Sequence, residues 1–154
     1  MPNLNTMKLL NKLQRGFTLI ELLVVISIIG ILVGVSIFGL SGARESSRDA
    51  RRKADLETIR SGLELYKADC SGYPATFNLS SATSLVGTGT PSSCSASNTY
   101  ISSVPTDPTS TVRNYVYRSV GNGYELYASL EQQGLTTYAG VNCGLSCNYL
   151  ITNP

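Results

Sequence analysis

The sequence predicts an α+β protein, with one long N-terminal α-helix packed on a small antiparallel β-sheet head. The helix is expected to be apolar in its first half and amphipathic in its second. Three observations lead there. Residues 17–40 read FTLIELLVVISIIGILVGVSIFGL, with Glu21 as the single charge. No proline interrupts the chain between Pro2 and Pro74. Beyond residue 100, short strand-like runs flank the turn signal Gly121-Asn122-Gly123. An unbroken apolar run followed by a three-to-four repeat calls for one helix, and the later pattern calls for a hairpin.

The apolar segment comes first. At about 1.5 Å per residue it reaches roughly 36 Å, enough to cross a hydrocarbon core of about 30 Å. It exceeds the apolar core of an ordinary secretory signal. Two simple readings fit its length: a discarded signal cut near Ser41-Gly42-Ala43, or a permanent single-span anchor. Neither explains Glu21, since a carboxylate inside an apolar span costs at least a few kcal/mol unless it is paired or interfacial. Cutting the chain after Gly16 supplies a reason. Phe17 then carries a new α-amino group, and in a bundle of staggered copies the Glu21 carboxylate of one subunit can face the amine of the next. Each buried charge gains a partner, and the pairing fixes axial register.

On these residues the chain resembles the type IV pilins and the pseudopilins of type II secretion. Arg15-Gly16-Phe17-Thr18-Leu19-Ile20-Glu21 looks like their processing site, preceded by a basic leader with Lys8, Lys12 and Arg15. The resemblance implies that a prepilin peptidase cuts after Gly16, that Phe17 becomes the methylated N-terminus, and that Glu21 is the assembly glutamate. It is strong over roughly residues 8–70 and general beyond. Residues 1–16 are then the leader, 17–40 the transmembrane and filament-core helix, 41–70 the amphipathic helix and 71–154 a pilin-like head.

Charge counting around the span points the other way. Arg44, Arg48, Arg51, Arg52 and Lys53 outnumber the three basic residues of the leader, which by the positive-inside rule puts the C-terminal side inside. The cysteines and the family leader favour the opposite orientation, with the N-terminus inside and the head outside. Gly30 and Gly34 form a GxxxG pair, which permits close helix approach but is also common in membrane helices generally.

In the amphipathic half, Leu56, Ile59, Leu63, Tyr66 and Cys70 recur at steps of three and four, the stripe of a helix with one buried face. Ser71-Gly72-Tyr73-Pro74 is the expected stop. The mixed cluster at residues 44–55 carries Glu45, Asp49 and Asp55 among its basic residues, and reads as a solvated face making intersubunit ion pairs rather than as a nucleic-acid site. Residues 75–111 form a Ser/Thr-rich connection, with a lone glycosylation sequon at Asn78. Strands are expected at residues 115–120 and 124–130, with a third at 100–104. Tyr124, Leu126, Ala128 and Leu130 should face the helix, with Glu125 and Tyr127 outward.

The four cysteines, Cys70, Cys94, Cys143 and Cys147, suit disulfides in an oxidising compartment better than a metal knuckle. Three connectivities are possible. Cys70 with Cys94 and Cys143 with Cys147 close local loops and are favoured. The 154 residues include no histidine, which removes the commonest general base and rules out Ser-His-Asp or Cys-His catalysis. The net charge of +2 arises in the leader. The rest of the chain has nine basic and ten acidic residues, so nothing marks nucleic acid as a main partner. No enzyme activity, cofactor or metal is expected. Major pseudopilins often bind calcium in a C-terminal loop, and Asp107 lies in a comparable region without a clustered set of oxygen ligands.

The sequence therefore reads as a structural subunit of a type IV pilus-like filament, serving motility, adhesion or DNA uptake. The expected precursor is a single-pass cytoplasmic membrane protein, later an extracellular or periplasmic fibre. Its expected partners are further copies of itself, minor pilins, the prepilin peptidase, an inner-membrane assembly platform and the membrane. The alternative is the major pseudopilin of a type II secretion system. A membrane-anchored binding module that never polymerises comes third.

Overall fold

The computed structural model describes residues 16–80, 82–132 and 136–154. The basic leader residues Lys8, Lys12 and Arg15 lie outside them. The element order is α1 (Leu19–Cys70), β1 (Leu85–Val86), β2 (Thr99–Ile101), β3 (Val116–Val120), β4 (Gly123–Ala128), β5 (Asn142–Cys143), β6 (Leu145–Ser146) and β7 (Tyr149–Thr152). The fold is α+β, one long helix with small antiparallel sheets. The chain divides into two compact units at the Ser41–Gly42 boundary.

In the first unit the apolar side chains Leu22, Ile26, Ile29, Val33 and Ile37 are among those exposed. The helix here is long and apolar enough to cross a membrane. Its two serines are internally satisfied: Ser27 Oγ donates to the Leu23 carbonyl at 2.7 Å and Ser36 Oγ to that of Leu32 at 2.8 Å. In hydrocarbon, a hydroxyl bonded back to its own helix leaves no polar group unmet.

In the second unit the predicted stripe is the core. Leu56, Ile59 and Leu63 are fully buried, and Tyr66 nearly so. They share a cluster with Tyr124, Leu126 and Ala128 of β4, Ile151 of β7, and Ile101, Val104 and Tyr115. Fully burying a side chain of leucine or isoleucine size stabilises by about 1.5–3 kcal/mol, so this face holds helix and sheet together. The main sheet is antiparallel in the order β3-β4-β7. Its hairpin turns on Gly121 and Asn122, with Val120 paired to Gly123. Gly121 has φ +57° and no positive φ occurs at Asn122, the backbone of a type II′ turn that requires glycine first.

Two sequence expectations need correction here. The third strand of the main sheet is β7, paired to β4 with Leu126 opposite Ile151, and not the segment at residues 100–104. That segment supplies β2, which pairs with β1 in a separate two-stranded sheet. Tyr127 alternates away from the helix but does not reach solvent. It is buried in a second small core with Cys143 and Cys147, and packs edge-on against Tyr138 with ring centroids 5.4 Å apart. The excursion between β4 and β7 folds back over the outer face of the sheet, which alternation along β4 alone could not reveal.

Two disulfides are present. Cys70 is joined to Cys94 (Cα–Cα 4.6 Å) and Cys143 to Cys147 (Cα–Cα 5.4 Å). The first ties the end of α1 to the loop before β2, where Ser93 Oγ also donates to the Asp69 carbonyl at 2.5 Å. The second closes the β5–β6 turn. There Asn114 N–H donates to the Cys143 carbonyl and Tyr138 N–H to that of Cys147, each at 2.9 Å. Helix α1 stops where Ser71 takes the left-handed conformation at φ +62°, its N–H donating to the Lys67 carbonyl at 3.0 Å.

Candidate functional site

The N-terminal motif begins with Gly16. A Cβ placed there would meet nothing within 4 Å among the described residues, so the fold itself does not require glycine at this position. Phe17 is 85 % exposed. Thr18 is the N-cap of α1. Its Oγ1 accepts the Glu21 N–H at 3.3 Å, while Glu21 Oε2 accepts the Thr18 N–H at 2.9 Å and the Thr18 hydroxyl at 2.7 Å. This is a capping box, in which threonine and glutamate three residues apart each satisfy a donor the other exposes. Within one copy, then, the Glu21 carboxylate is held at the helix start by Thr18. The sequence contained this signal, since Thr-x-x-Glu before an apolar run is its signature. On the apolar run alone, Glu21 reads as a partner for another subunit's amine.

The head carries a second arrangement that sequence reasoning missed. Arg52 is completely buried and grips four side chains. Its Nε and Nη2 donate to Asp107 Oδ2 and Oδ1 at 2.8 and 3.1 Å, Nη1 to Asp49 Oδ1 and Glu131 Oε1 at 2.7 Å each, and Nη2 also to Thr109 Oγ1 at 2.9 Å. Arg48 makes a two-pronged pair with Glu131. Asp49 in turn accepts the backbone N–H groups of Glu131 and Gln132 at 2.8–3.0 Å. One turn of α1 thereby fixes both the Pro105–Thr109 segment and the chain leaving β4.

The electrostatics follow from this geometry. Burial works against the Arg52 charge, but the bonds to Asp107, Glu131 and Asp49 outweigh it and raise its pKa. Burial also opposes ionisation of Asp107, yet Arg52 and Thr109 hold its carboxyl below the ordinary range. The hydrogen bond from Arg48 is the main reason that Glu131 titrates at about 2. The reading of residues 44–55 as a wholly solvated face therefore needs correction: Asp49 and Arg52 are buried in this head, while Arg44 and Arg51 remain exposed. Nothing in the local sequence names the partners, because Asp107 and Glu131 lie more than fifty residues away. Asp107 is thus committed to a guanidinium, and no group of three or more metal-ligating side chains occurs among the described residues.

Known families complete the picture. The model of the prokaryotic N-terminal methylation motif matches residues 11–37, a stretch containing Gly16, Phe17 and Glu21. The model described as type II secretion system protein G matches residues 40–140, about two thirds of the chain. The chain belongs to the type II secretion protein G family. Among its relatives, the type II secretion system core protein G of Pseudomonas aeruginosa is 29% identical over 116 residues, covering 75% of this chain and 82% of that protein. Those of Dickeya chrysanthemi and Escherichia coli K12 are 41% and 40% identical over 63 residues. In these shorter matches the chain spans only 41% and 43% of the relative's length. No solved structure matches. Membership in the protein G family favours the secretion pseudopilin, which the sequence reading placed second, over the surface pilus it placed first.

Proposed function

We propose that this chain is the major pseudopilin of a type II secretion system, a structural subunit that polymerises into a short periplasmic fibre. The protein G match over residues 40–140 carries this reading, because it covers the head that distinguishes one fibre subunit from another. In the proposed precursor, residues 1–16 are a cytoplasmic leader, 17–40 span the membrane, and the head lies outside with its disulfides in an oxidising compartment. A prepilin peptidase cuts after Gly16 and the new amine of Phe17 is methylated. Apolar helices then bundle with further copies and minor pseudopilins on an assembly platform.

Glu21 has two partners in this scheme. Before assembly the Thr18 cap lowers the cost of holding a carboxylate at the membrane edge. On assembly the carboxylate meets a neighbouring Phe17 amine, trading a local bond for a charge pair that fixes register. The chain has no histidine for acid–base work near neutral pH, and the role proposed is mechanical.

The test has two parts. Intact-mass analysis of protein from its native membrane should find a chain beginning at methylated Phe17. Deleting the gene should abolish export of secreted enzymes into the medium, and a plasmid copy carrying Glu21→Ala should be inserted and folded yet fail to restore export. A strain that loses surface pili and twitching while export continues would instead return the subunit to the pilus reading.

A further inference from the structure

Asn78-Leu79-Ser80 is an acceptor sequence for N-linked glycans, and fibre assembly makes no use of it. In the fold it is a fixed turn on the surface. Leu79 is buried in the core of the head and anchors the loop, while Asn78 and Ser80 on either side are exposed. Asn78 Oδ1 accepts the Ser80 N–H at 2.8 Å, and the Asn78 carbonyl accepts the Thr83 hydroxyl at 3.1 Å. Both bonds fall on its oxygens. The amide nitrogen Nδ2, the atom a glycan joins, has no protein partner among the described residues.

A second observation lies beside the first. Asn78 stands on the rim of a cavity of 470 Å³ that Thr76, Phe77, Tyr117 and Ser119 also line. The Phe77 and Tyr117 rings meet edge to face with centroids 6.0 Å apart, and the Tyr117 hydroxyl donates to the Pro74 carbonyl at 2.5 Å, so both rings are held in place. Fixed aromatic rings with hydroxyls around them suit a sugar. Its C–H groups lie against a ring whose face carries partial negative charge, and its hydroxyls find the polar rim. The cavity also runs along an open sheet edge. Strand β3 is the outer strand of the β3-β4-β7 sheet. Counting the ladder from the two-residue turn, Val120, Arg118 and Val116 exchange hydrogen bonds with β4, so the main-chain groups of Tyr117 and Ser119 face outward. Uncovered peptide groups of this kind recruit further strands, and natural sheets usually cover them.

We propose that Asn78 is an N-glycosylation site, whose first sugar sits over Phe77 and Tyr117 and shields the β3 edge. The donor is an oligosaccharide carried on a polyprenyl diphosphate, transferred by a membrane-bound oligosaccharyltransferase. The bond from C1 of the sugar to the diphosphate oxygen breaks and a bond from C1 to Asn78 Nδ2 forms. The lipid diphosphate leaves, and Nδ2 gives up one proton. Transfer takes place outside the cytoplasm, so it rests on the proposed placement of the head there. It adds to that reading a covering of the head's surface, which assembly through the N-terminal helix does not require.

The test is peptide mapping of the chain isolated from its native membrane. Trypsin releases residues 68–113 as one peptide, bounded by Lys67 and Arg113. That peptide should exceed the mass of its sequence by one whole glycan, with Asn78 as the linked residue on electron-transfer fragmentation. Asn78→Gln and Ser80→Ala should each lose the increment, and Ser80→Thr should keep it. Amide exchange at Tyr117 and Ser119 should be about tenfold slower in the glycosylated chain than in Asn78→Gln, since their outward N–H groups lie under the sugar. Equal exchange in the two would remove the shielding of β3. A bare Asn78 in a chain that begins at methylated Phe17 would overturn the glycan and leave the fibre subunit standing. A glycan at Asn78 in a chain still beginning at Met1 would do the reverse, and a bare Asn78 in such a chain would remove both. An increment that survives Asn78→Gln sits on a hydroxyl of the Ser/Thr-rich loop and overturns the proposal too.

Discussion

Arg52 is the residue on which most of the head's polar order depends, and its removal is correspondingly costly. Asp107 has no exposed side-chain surface, so Arg52→Ala would strand a buried carboxylate. Removing one partner from such a pair typically destabilises by about 3–5 kcal/mol. A drop of that size in urea denaturation is expected, relieved in part by the Arg52→Met, Asp107→Leu double variant, which removes the fully buried Asp107 charge while Asp49 keeps its backbone N–H partners and Glu131 keeps Arg48. The same cluster sets an acid limit. Glu131 titrates at about 2 in the fold against an ordinary 4.5. A lowered folded value means that its stabilisation is complete above about 4.5 and is lost as the pH falls towards about 2. Wild type should lose thermal stability through that window, and Glu131→Gln should start lower at neutral pH and fall less steeply. At the other end of α1, Thr18→Val removes the cap of Glu21 at a cost of about 1 kcal/mol to the first turn. Faster amide exchange at Glu21 and Leu22 should report it, with Thr18→Ser restoring protection.

Helix α1 and strand β2 approach closely at Gly62, where two effects of opposite sign can be weighed. A Cβ there would lie 2.2 Å from Ile101 Cγ1 and 3.2 Å from the Tyr100 carbonyl oxygen. Gly→Ala inside a helix ordinarily stabilises by about 1 kcal/mol. Overpacking against a β-branched side chain and a fixed carbonyl costs about 1–3 kcal/mol. Gly62→Ala should therefore destabilise the head on balance, and in an Ile101→Ala background the sign should reverse. The helix end offers the opposite case. Ser71 holds φ +62°, where a Cβ costs about 1–2 kcal/mol relative to glycine. Ser71→Gly should raise the melting temperature by a few degrees. These elements differ in how readable they were. The α1 stripe and the β3–β4 hairpin follow from local periodicity and turn chemistry, so both could be placed from sequence. β7 has four residues and no turn partner next to it in the chain, and β2 finds its partner through a loop. Pairing over such distances leaves no local trace.

At the scale of the whole molecule, the same contrast separates what the sequence carries from what folding adds. The motif at Gly16–Glu21 was legible because its logic is local: a basic leader, a cut site, and one acid in an apolar run. The Arg52 cluster was not, since a guanidinium on a mixed-charge helix looks solvated until the chain brings Asp107 and Glu131 to it. Tyr127 was misread for a related reason, its cover arriving with residues beyond β4. That cover depends on the Cys143–Cys147 staple, and the end of α1 on Cys70–Cys94. Cross-links over sequence separations of 4 and 24 restrict the unfolded chain by about 2 and about 3.5 kcal/mol. A small domain has about 5–15 kcal/mol in all. Losing both should leave the head marginal, so it should fold reliably only where disulfides form. Thermal unfolding of single-pair variants separates the contributions. Cys70→Ser with Cys94→Ser should lower the melting temperature more. Cys143→Ser with Cys147→Ser should lower it less, but should increase solvent access to Tyr127 and Tyr138, read by near-ultraviolet circular dichroism. Equal losses from the two pairs, with the tyrosine signal unchanged, would mean that the second core stands without its staple.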